Sequence, residues 1–259
     1  MIILKSPHEI HIMKIAGSIV AAVLEELKQM VRPGIKLSEL DHKAEVMTRH
    51  YNAIPAFKGY HGFPASICAS VNEEVVHGIP GNRSLRSGDI IGIDFGVIYN
   101  DFCADSAITV PVGDIAPETR TLLSVTETAL YEGIEQARSG NRLYDISRAI
   151  QTHVEDNHFS VVRDFVGHGI GRNMHEEPQI PNFVGNDFNP RLKPGMTLAL
   201  EPMVNVGTFE VDVDPYDNWT VRTMDRKFSA HFEHTVAVTE GVPEILTLFR
   251  PELLPESKS

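Results

Sequence analysis

Two aspartates inside hydrophobic segments limit most strongly what this chain can fold into. The apolar runs Ile90–Val97 and Phe102–Ala104 have strand character, and Asp94 lies in the first while Asp105 directly follows the second. The segment between them contains asparagine and aspartate, which tolerate the positive φ angles of hairpin turns. We therefore predict a β-hairpin across this region.

The register of this hairpin decides whether the two carboxylates meet. If Tyr99 and Asn100 form a two-residue turn, Asp94 lies directly opposite Asp105, and a three-residue loop shifts the pairing by one place. Directly opposed like charges destabilise a strand pair, and a buried pair needs a cation, a shared proton or water. Asp94 alone fits a solvated strand end, whereas two aspartates in register favour a metal site.

Composition excludes several classes of function. The formal net charge of −12 disfavours nucleic acid and anionic membranes as main ligands, because both need a basic protein face. Cys68 and Cys103 form neither a disulfide framework nor a metal–thiolate motif. The N-terminal segment lacks the apolar core of a signal peptide, and no run approaches the roughly 18 residues of a membrane span. We expect a cytoplasmic protein.

Helix and loop signals organise the N-terminal part of the chain. Ser6–Glu9 is a capping box with proline at the first helical position, and this helix should end near Pro33. A second helix is predicted from Ser38 to Tyr51. The segment Phe57–His77 combines aromatic residues with glycine, which suits a pocket wall, although aromatic residues in loops are also often core plugs.

An internal repeat is visible at nearly constant spacing. Arg32–Leu37 resembles Arg138–Leu143, and Leu85–Asp94 resembles Leu192–Glu201, where both segments are a basic turn followed by a strand ending in a carboxylate. We therefore predict one catalytic domain, residues 1–259, with two pseudo-symmetric halves of about 1–110 and 111–250. This duplication brings Asp94 and Glu201 to a shared centre.

The second half supplies further metal-binding side chains. His168 lies between two glycines, and His231, Glu233 and Thr235 should share one face of a single alternating strand. One histidine alone is usually a surface or hydrogen-bonded core residue, but four unpaired buried carboxylates are implausible without metal. The predicted ligand set is Asp94, Asp105, His168, Glu201 and Glu233.

The chemistry of this set indicates the metal and the reaction class. Four carboxylates and one imidazole carry four negative charges, which match two divalent cations. Oxygen-rich sites with one nitrogen suit manganese, iron(II), cobalt or zinc, and the lack of thiolates disfavours a structural zinc site. Paired metals lower the pKa of a shared water and clamp a substrate oxygen or amine, so we predict metal-assisted hydrolysis.

Three long segments carry a family resemblance: His61–Pro80, Gly167–Pro178 and Trp219–Thr235. Through them, and over nearly its whole length, the chain resembles the type I methionine aminopeptidases among the pita-bread metallopeptidases. It is similar to the short bacterial form, which has no long N-terminal zinc-binding extension. The resemblance implies an α+β pita-bread fold, with helices packed on a curved antiparallel sheet. It also implies removal of the initiator methionine, before a small second residue, by attack of a metal-bridging hydroxide.

The resemblance also assigns roles to individual residues. His77 and His175 correspond to histidines that contact the substrate amide and the oxyanion, and Glu201 handles the proton of the attacking water. The methionine pocket would be formed by Tyr60, Phe63, Cys68, His77 and Trp219, and a monovalent cation would lie near Asn72 and Ser229. The chain departs from commoner members of the family at Phe57, Met174 and His231.

Two alternatives stay open at this point. One is a proline-specific aminopeptidase or dipeptidase of the same fold, although such relatives usually have a large additional N-terminal domain. The other is a non-catalytic binding module that kept the fold, which the complete ligand set argues against. The expected partners are the N-termini of nascent peptides at the ribosome, and the enzyme is expected to be a monomer.

Overall fold

A computed structural model describes residues 1–186 and 188–255 of the chain. Its first helix, α1, spans Pro7–Met30 and begins with the predicted capping box. The Glu9 backbone N–H donates to Ser6 Oγ at 3.3 Å, and the Ser6 N–H donates to Glu9 Oε2 at 2.9 Å. Because two unpaired N–H groups are satisfied in this way, the start of the helix is fixed by local sequence.

Three further helices complete two helical pairs within the described residues. α2 spans Leu37–His50, α3 spans Pro117–Gln136 and α4 spans Leu143–Asp156. The predicted bounds of α2 are one residue late at each end. α1 and α2 pack together against one part of the sheet, and α3 and α4 pack against another, so that each pair covers its own hydrophobic core cluster. No helix in the described ranges is long and apolar enough to cross a bilayer.

The strands of the described residues form one large sheet and two small ones. In chain order they are β1 Ile54–Pro55, β2 Cys68–Val71, β3 Glu74–Val76, β4 Ile90–Tyr99, β5 Phe102–Pro111, β6 Ser160–Val161, β7 Gly167–Gly169, β8 Glu176–Ile180, β9 Thr197–Leu200, β10 Met203–Asn205, β11 Val211–Val213, β12 Val221–Thr223, β13 Ser229–His231, β14 Glu233–Ala237 and β15 Glu244–Ile245. Short 3₁₀ turns occupy Tyr60–Gly62 and Pro251–Leu253.

The large sheet runs in the order β1-β4-β5-β14-β9-β7-β8, with β2 beside β4 and β15 beside β14. The small sheets are β13-β10-β6 and β11-β12-β3. The strand pairs of all three sheets are antiparallel. Helices segregated from antiparallel sheets make this an α+β fold, as predicted.

The hairpin of β4 and β5 exists, but its predicted register is wrong. Tyr99 pairs with Phe102, so the turn consists of Asn100 and Asp101, with φ angles of 45° and 64°. Those two residues tolerate positive φ better than tyrosine does, which moves the turn one residue along the chain. The second strand also continues to Pro111, well beyond the predicted end at Ala104.

This register places the two aspartates diagonally rather than directly opposite. Asp94 pairs with Ala107, and Asp105 pairs with Gly96. Because side chains alternate along a strand, Asp94 and Gly96 share a face, and Asp105 therefore lies on the same face as Asp94. The carboxylates still converge, but as diagonal neighbours.

Matched backbone contacts occur in the two repeated segments. The Gly34 N–H donates to the Leu85 carbonyl at 2.8 Å, and the Gly140 N–H donates to the Leu192 carbonyl at 3.1 Å. Gly34 and Gly140 both have a φ of 91°, a conformation that favours glycine. These contacts support the internal duplication, whose boundaries stay a prediction.

Candidate metal centre and active site

Five neighbouring strands of the large sheet each bring one of the predicted ligands to a common cavity. Asp94 lies on β4, Asp105 on β5, Glu233 on β14 and His168 on β7, while Glu201 directly follows β9. In the sheet these strands are consecutive, in the order β4-β5-β14-β9-β7. All five side chains line the same cavity of about 460 Å³.

The cluster is largely buried, and part of its hydrogen-bonding capacity is unused within the described residues. Asp105 and Glu233 are 4% and 2% exposed, whereas Asp94 and Glu201 are partly open to the cavity. Nevertheless one buried oxygen of Asp94, Asp105 and Glu233 has no hydrogen-bond partner among the described residues. Leaving such groups unpaired is costly, so a cation is the partner that these side chains fit.

Distances in the cluster match the requirements of a metal ion. Ligand atoms of Asp105, His168 and Glu233 all lie within 4.8 Å of one another. Carboxylates with one imidazole are a donor set for manganese, iron, cobalt or zinc. The residues present therefore fit a divalent metal centre.

The electrostatics of the cluster point the same way. Burial raises the pKa of the Asp94, Glu201 and Glu233 carboxyls well above their ordinary values, and the neighbouring Asp105 adds to the rise. Burial also raises the pKa of Asp105, to about 7. The cluster by itself therefore favours protons, and a bound cation would take over their role.

His168 is oriented as a neutral ligand. Its Nδ1 lies 2.9 Å from the Gly169 carbonyl, and a carbonyl can only accept, so Nδ1 carries the proton. Nε2 then carries a free electron pair and lies 3.6 Å from Glu201 Oε1. Burial, followed by the neighbouring His175, lowers the pKa of His168 to about 4, which keeps the ring neutral.

The cavity above the carboxylates has an aromatic wall. Phe63 and Trp219 meet edge to face, with ring centroids 5.1 Å apart, and His77 lies 6.1 Å from the Trp219 ring centroid. Tyr60 and Cys68, the other two residues of the predicted pocket, also line the cavity. Phe57, which was not in the predicted set, lines it as well. The surface suits an unbranched apolar side chain, and it includes a polarisable thiol.

Met174, where the chain departs from commoner members of the family, lies in the core beside the cavity. It is 4% exposed and packs in a core cluster with Phe57 and Tyr60 beside it, and it is not among the described residues that line the cavity. Any effect of Met174 on the shape of the cavity must therefore pass through neighbouring side chains such as Phe57, which lines it.

Two further histidines stand at the cavity. Burial lowers the pKa of His77 to about 4, with a smaller contribution from His175. His175 Nδ1 lies 2.8 Å from the Tyr60 hydroxyl, and its ring centroid is 4.3 Å from that of His168. Burial also lowers the pKa of His175, so both histidines are uncharged groups close to the carboxylate cluster.

His231 lies beside the cluster, although it was not among the predicted ligands. Its buried Nε2 lies 3.8 Å from Glu201 Oε2 and has no hydrogen-bond partner in the described ranges. The predicted single strand is interrupted at Phe232, so that His231 ends β13 and Glu233 begins β14. The available signals were its departure from the family's usual residue and its predicted position on the same strand face as Glu233.

A backbone hydrogen bond joins Asn72 and Ser229. The Ser229 N–H donates to the Asn72 carbonyl at 2.9 Å, and Asn72 has a φ of 61°. The Asn72 side chain donates to Asp89 and accepts from the Ile90 N–H. These contacts bring the two residues into one backbone junction.

Comparison with known proteins agrees with the geometry. Residues 11–240 match the model of metallopeptidase family M24. The chain is 56% identical over 247 residues to methionine aminopeptidase 1 of Bacillus subtilis strain 168, covering 95% of this chain and 99% of that protein. It superimposes on the crystal structure of methionine aminopeptidase from Rickettsia prowazekii with a TM-score of 0.94 and 41% identity, covering 96% and 100% of the two chains.

A more distant likeness concerns the fold alone. The Xaa-Pro dipeptidase of Bacillus anthracis is 20% identical with a TM-score of 0.73, and the match covers 94% of this chain but only 61% of that one. The predicted pita-bread fold is confirmed by these superpositions.

Fold and carboxylate-rich site together define a metal-dependent peptidase. The chain belongs to metallopeptidase family M24, and within it to the methionine aminopeptidases.

Proposed function

We propose that this chain removes the N-terminal methionine from polypeptides whose second residue is small. The observation that carries the proposal is the position of the carboxylate cluster at the base of a cavity with an apolar, aromatic wall. A methionine side chain fits that wall, and its α-amino group and scissile carbonyl then lie against the cluster. The likeness to methionine aminopeptidases supports this reading.

Asp94, Asp105, His168, Glu201 and Glu233 would hold two divalent ions, of cobalt, manganese, iron or zinc. When bound, these ions would neutralise the carboxylates and supply an activated water as nucleophile. Four carboxylates balance the charge of two divalent cations, which is the reason for proposing two. A monovalent cation at the junction of Asn72 and Ser229 is proposed from the resemblance and from the proximity of the two residues.

The chain's own side chains would move and stabilise charge around the reacting carbonyl. Glu201 would accept the proton of the attacking water, a role that follows from the resemblance; its carboxylate, like that of Asp94, is partly open to the cavity. His77 and His175 are neutral and can donate hydrogen bonds from ring nitrogens to the substrate amide and to the developing oxyanion. Tyr60, Phe63, Cys68 and Trp219 bind the methionine side chain and exclude water.

A second candidate is hydrolysis of Xaa-Pro peptides, which the fold also supports. The aromatic wall favours methionine, because it suits an unbranched apolar side chain at the first position. Release of methionine from Met-Ala-Ser and cleavage of an Xaa-Pro peptide separate the two. Each assay should be run anaerobically with cobalt, manganese, iron(II) and zinc in turn, and we expect turnover of Met-Ala-Ser alone.

The setting of the reaction is also proposed. The substrates would be nascent chains at the ribosome, and the enzyme would act as a cytoplasmic monomer. The net charge of −12 disfavours direct binding to ribosomal RNA, so contact with the nascent chain itself would bring the enzyme to its substrate.

A further inference from the structure

A buried ion pair connects the N-terminal segment to the loop that carries His175. Lys5 Nζ lies 2.6 Å from Glu176 Oε2, and the two side chains are only 4% and 5% exposed. The other lysine and arginine ion pairs in the described ranges are far more exposed; that of Lys14 and Glu244, for example, is 25% and 35% exposed. Burial of both charges makes their separation costly.

Lys5 itself is held by the backbone on both sides. It directly precedes the Ser6 cap of α1, and its N–H donates to the Gly195 carbonyl at 2.7 Å. Its Nζ also donates to the Ile3 carbonyl at 3.2 Å. The ammonium group is therefore fixed relative to α1 and to the turn that leads into β9.

Glu176 transmits this fixed position to the loop before it. It follows His175 directly, and its Oε1 accepts a hydrogen bond from the Asn173 N–H at 3.2 Å. The Gly171 N–H donates to the Asn173 carbonyl, and the Gly171 carbonyl accepts from the Cys103 N–H at 2.7 Å. The loop thus closes on the ion pair at one end and on β5 at the other.

Gly171 leaves the space that the ion pair occupies. A Cβ at this position would overlap Lys5 Cε and would lie 2.6 Å from Glu176 Oε1 and 2.8 Å from Lys5 Nζ. Any larger residue must therefore displace the ion pair. The loop, the glycine and Lys5 form one packed unit.

We propose that Lys5 is a positioning residue, which holds the His175 ring in its working orientation through Glu176. The inference rests on the proposed function, because that function makes His175 a substrate-contacting group. The ring stands between the Tyr60 hydroxyl and the His168 ring, so a small movement of Glu176 changes both contacts. Displacement of a reacting group by about 1 Å can cost about 100-fold in rate.

The test compares variants in metal-loaded enzyme of verified metal content. Lys5→Met and Gly171→Ala should each lower kcat for Met-Ala-Ser at least about tenfold while KM stays close to wild type, because neither substituted residue lines the cavity. Lys14→Met is the matched control, since it breaks an exposed pair, and it should retain kcat. Wild-type kcat in Lys5→Met would overturn the inference.

A double variant separates positioning from stability. Lys5→Met leaves a buried carboxylate without its partner and should lower Tm, whereas Lys5→Met with Glu176→Gln leaves no buried charge unpaired. The double variant should regain Tm but keep the low kcat, since the ion pair that fixed residue 176 to the N-terminal segment is absent. Recovery of kcat together with Tm would show a purely structural role and overturn the inference.

A readout without turnover keeps this inference distinct from the proposed function. In ¹⁵N-histidine spectra of the zinc-loaded protein, the His175 signal is assigned by its loss in His175→Ala. We expect that signal to shift in Lys5→Met and to remain in place in Lys14→Met. An unshifted signal in Lys5→Met overturns the positioning role, whereas a wild-type enzyme that releases no methionine contradicts only the proposed function.

Discussion

Neutralising one buried carboxylate should stabilise the metal-free protein while weakening its response to metal. Ligand atoms of Asp105 and Glu233 lie within 4.8 Å of each other, and both side chains are buried. Two unit charges at that distance repel by about 3.5 kcal/mol at an effective dielectric constant of about 20. Proton uptake relieves part of this repulsion, so we expect Glu233→Gln to gain about 2 kcal/mol at pH 8.

The assay is thermal unfolding in chelator, followed by titration with manganese. For a chain of this size, about 2 kcal/mol corresponds to a Tm increase of about 4–8 °C. Added metal should raise the Tm of wild type much more than that of Glu233→Gln, because the variant lacks one ligand. Glu135→Gln, at the exposed C-terminal end of α3, is the matched control and should match wild type. A metal-free Tm for Glu233→Gln at or below wild type would refute the argument.

The pH dependence of the same protein follows from the raised pKa values. The pKa of Asp105 is about 7 in the folded protein and about 4 in the unfolded chain. The folded state therefore binds more protons, and the stability that these protons contribute is lost as the pH rises through about 7. Buried histidines with lowered pKa act in the opposite direction only below about 6.5. Metal-free wild type should thus lose Tm between pH 6.5 and 8, and Glu233→Gln should lose less.

The remaining predictions concern catalysis. Glu201→Gln should lose nearly all turnover of Met-Ala-Ser, and His175→Ala should lose more than His77→Ala, with each such contact worth about 3 kcal/mol; wild-type kinetics in Glu201→Gln would contradict its role. Trp219→Ala should raise KM for methionyl peptides more than it lowers kcat, because it removes one wall of the pocket, and unchanged KM would oppose that assignment. Among Xaa-Ala-Ser peptides, norleucine should be cleaved nearly as well as methionine and leucine more weakly, whereas lysine and glutamate should give no product, since the aromatic wall offers no partner for a buried charge.

Local sequence signals predicted the parts of the fold that depend on neighbouring residues. The capping box placed the start of α1 at the correct residue, and the glycine- and aromatic-rich segment Phe57–His77 forms the cavity wall. The types of metal ligand could also be predicted, because carboxylates within apolar strands have few possible partners other than a metal ion. Their roles rest on resemblance and await the experiments above.

Features that depend on strand register or on contacts between distant residues could not be predicted from the sequence. The turn lies one residue later than predicted, because Asn100 and Asp101 adopt positive φ more readily than Tyr99 does. Moving the turn by one residue changes every pair of opposite residues in the hairpin. The ion pair of Lys5 and Glu176 joins residues 171 positions apart, so no local sequence pattern predicts it. The packing of Met174 behind the cavity wall likewise depends on the tertiary arrangement of several strands.

The central claim is that the carboxylate cluster holds the metal that drives removal of N-terminal methionine. The most direct test is methionine release from Met-Ala-Ser by one preparation, measured before chelation, after chelation, and after metal is restored. We predict that release stops in chelator, that Tm falls with it, and that both return when the metal is added back. Full turnover by chelated protein with no bound metal would contradict the claim.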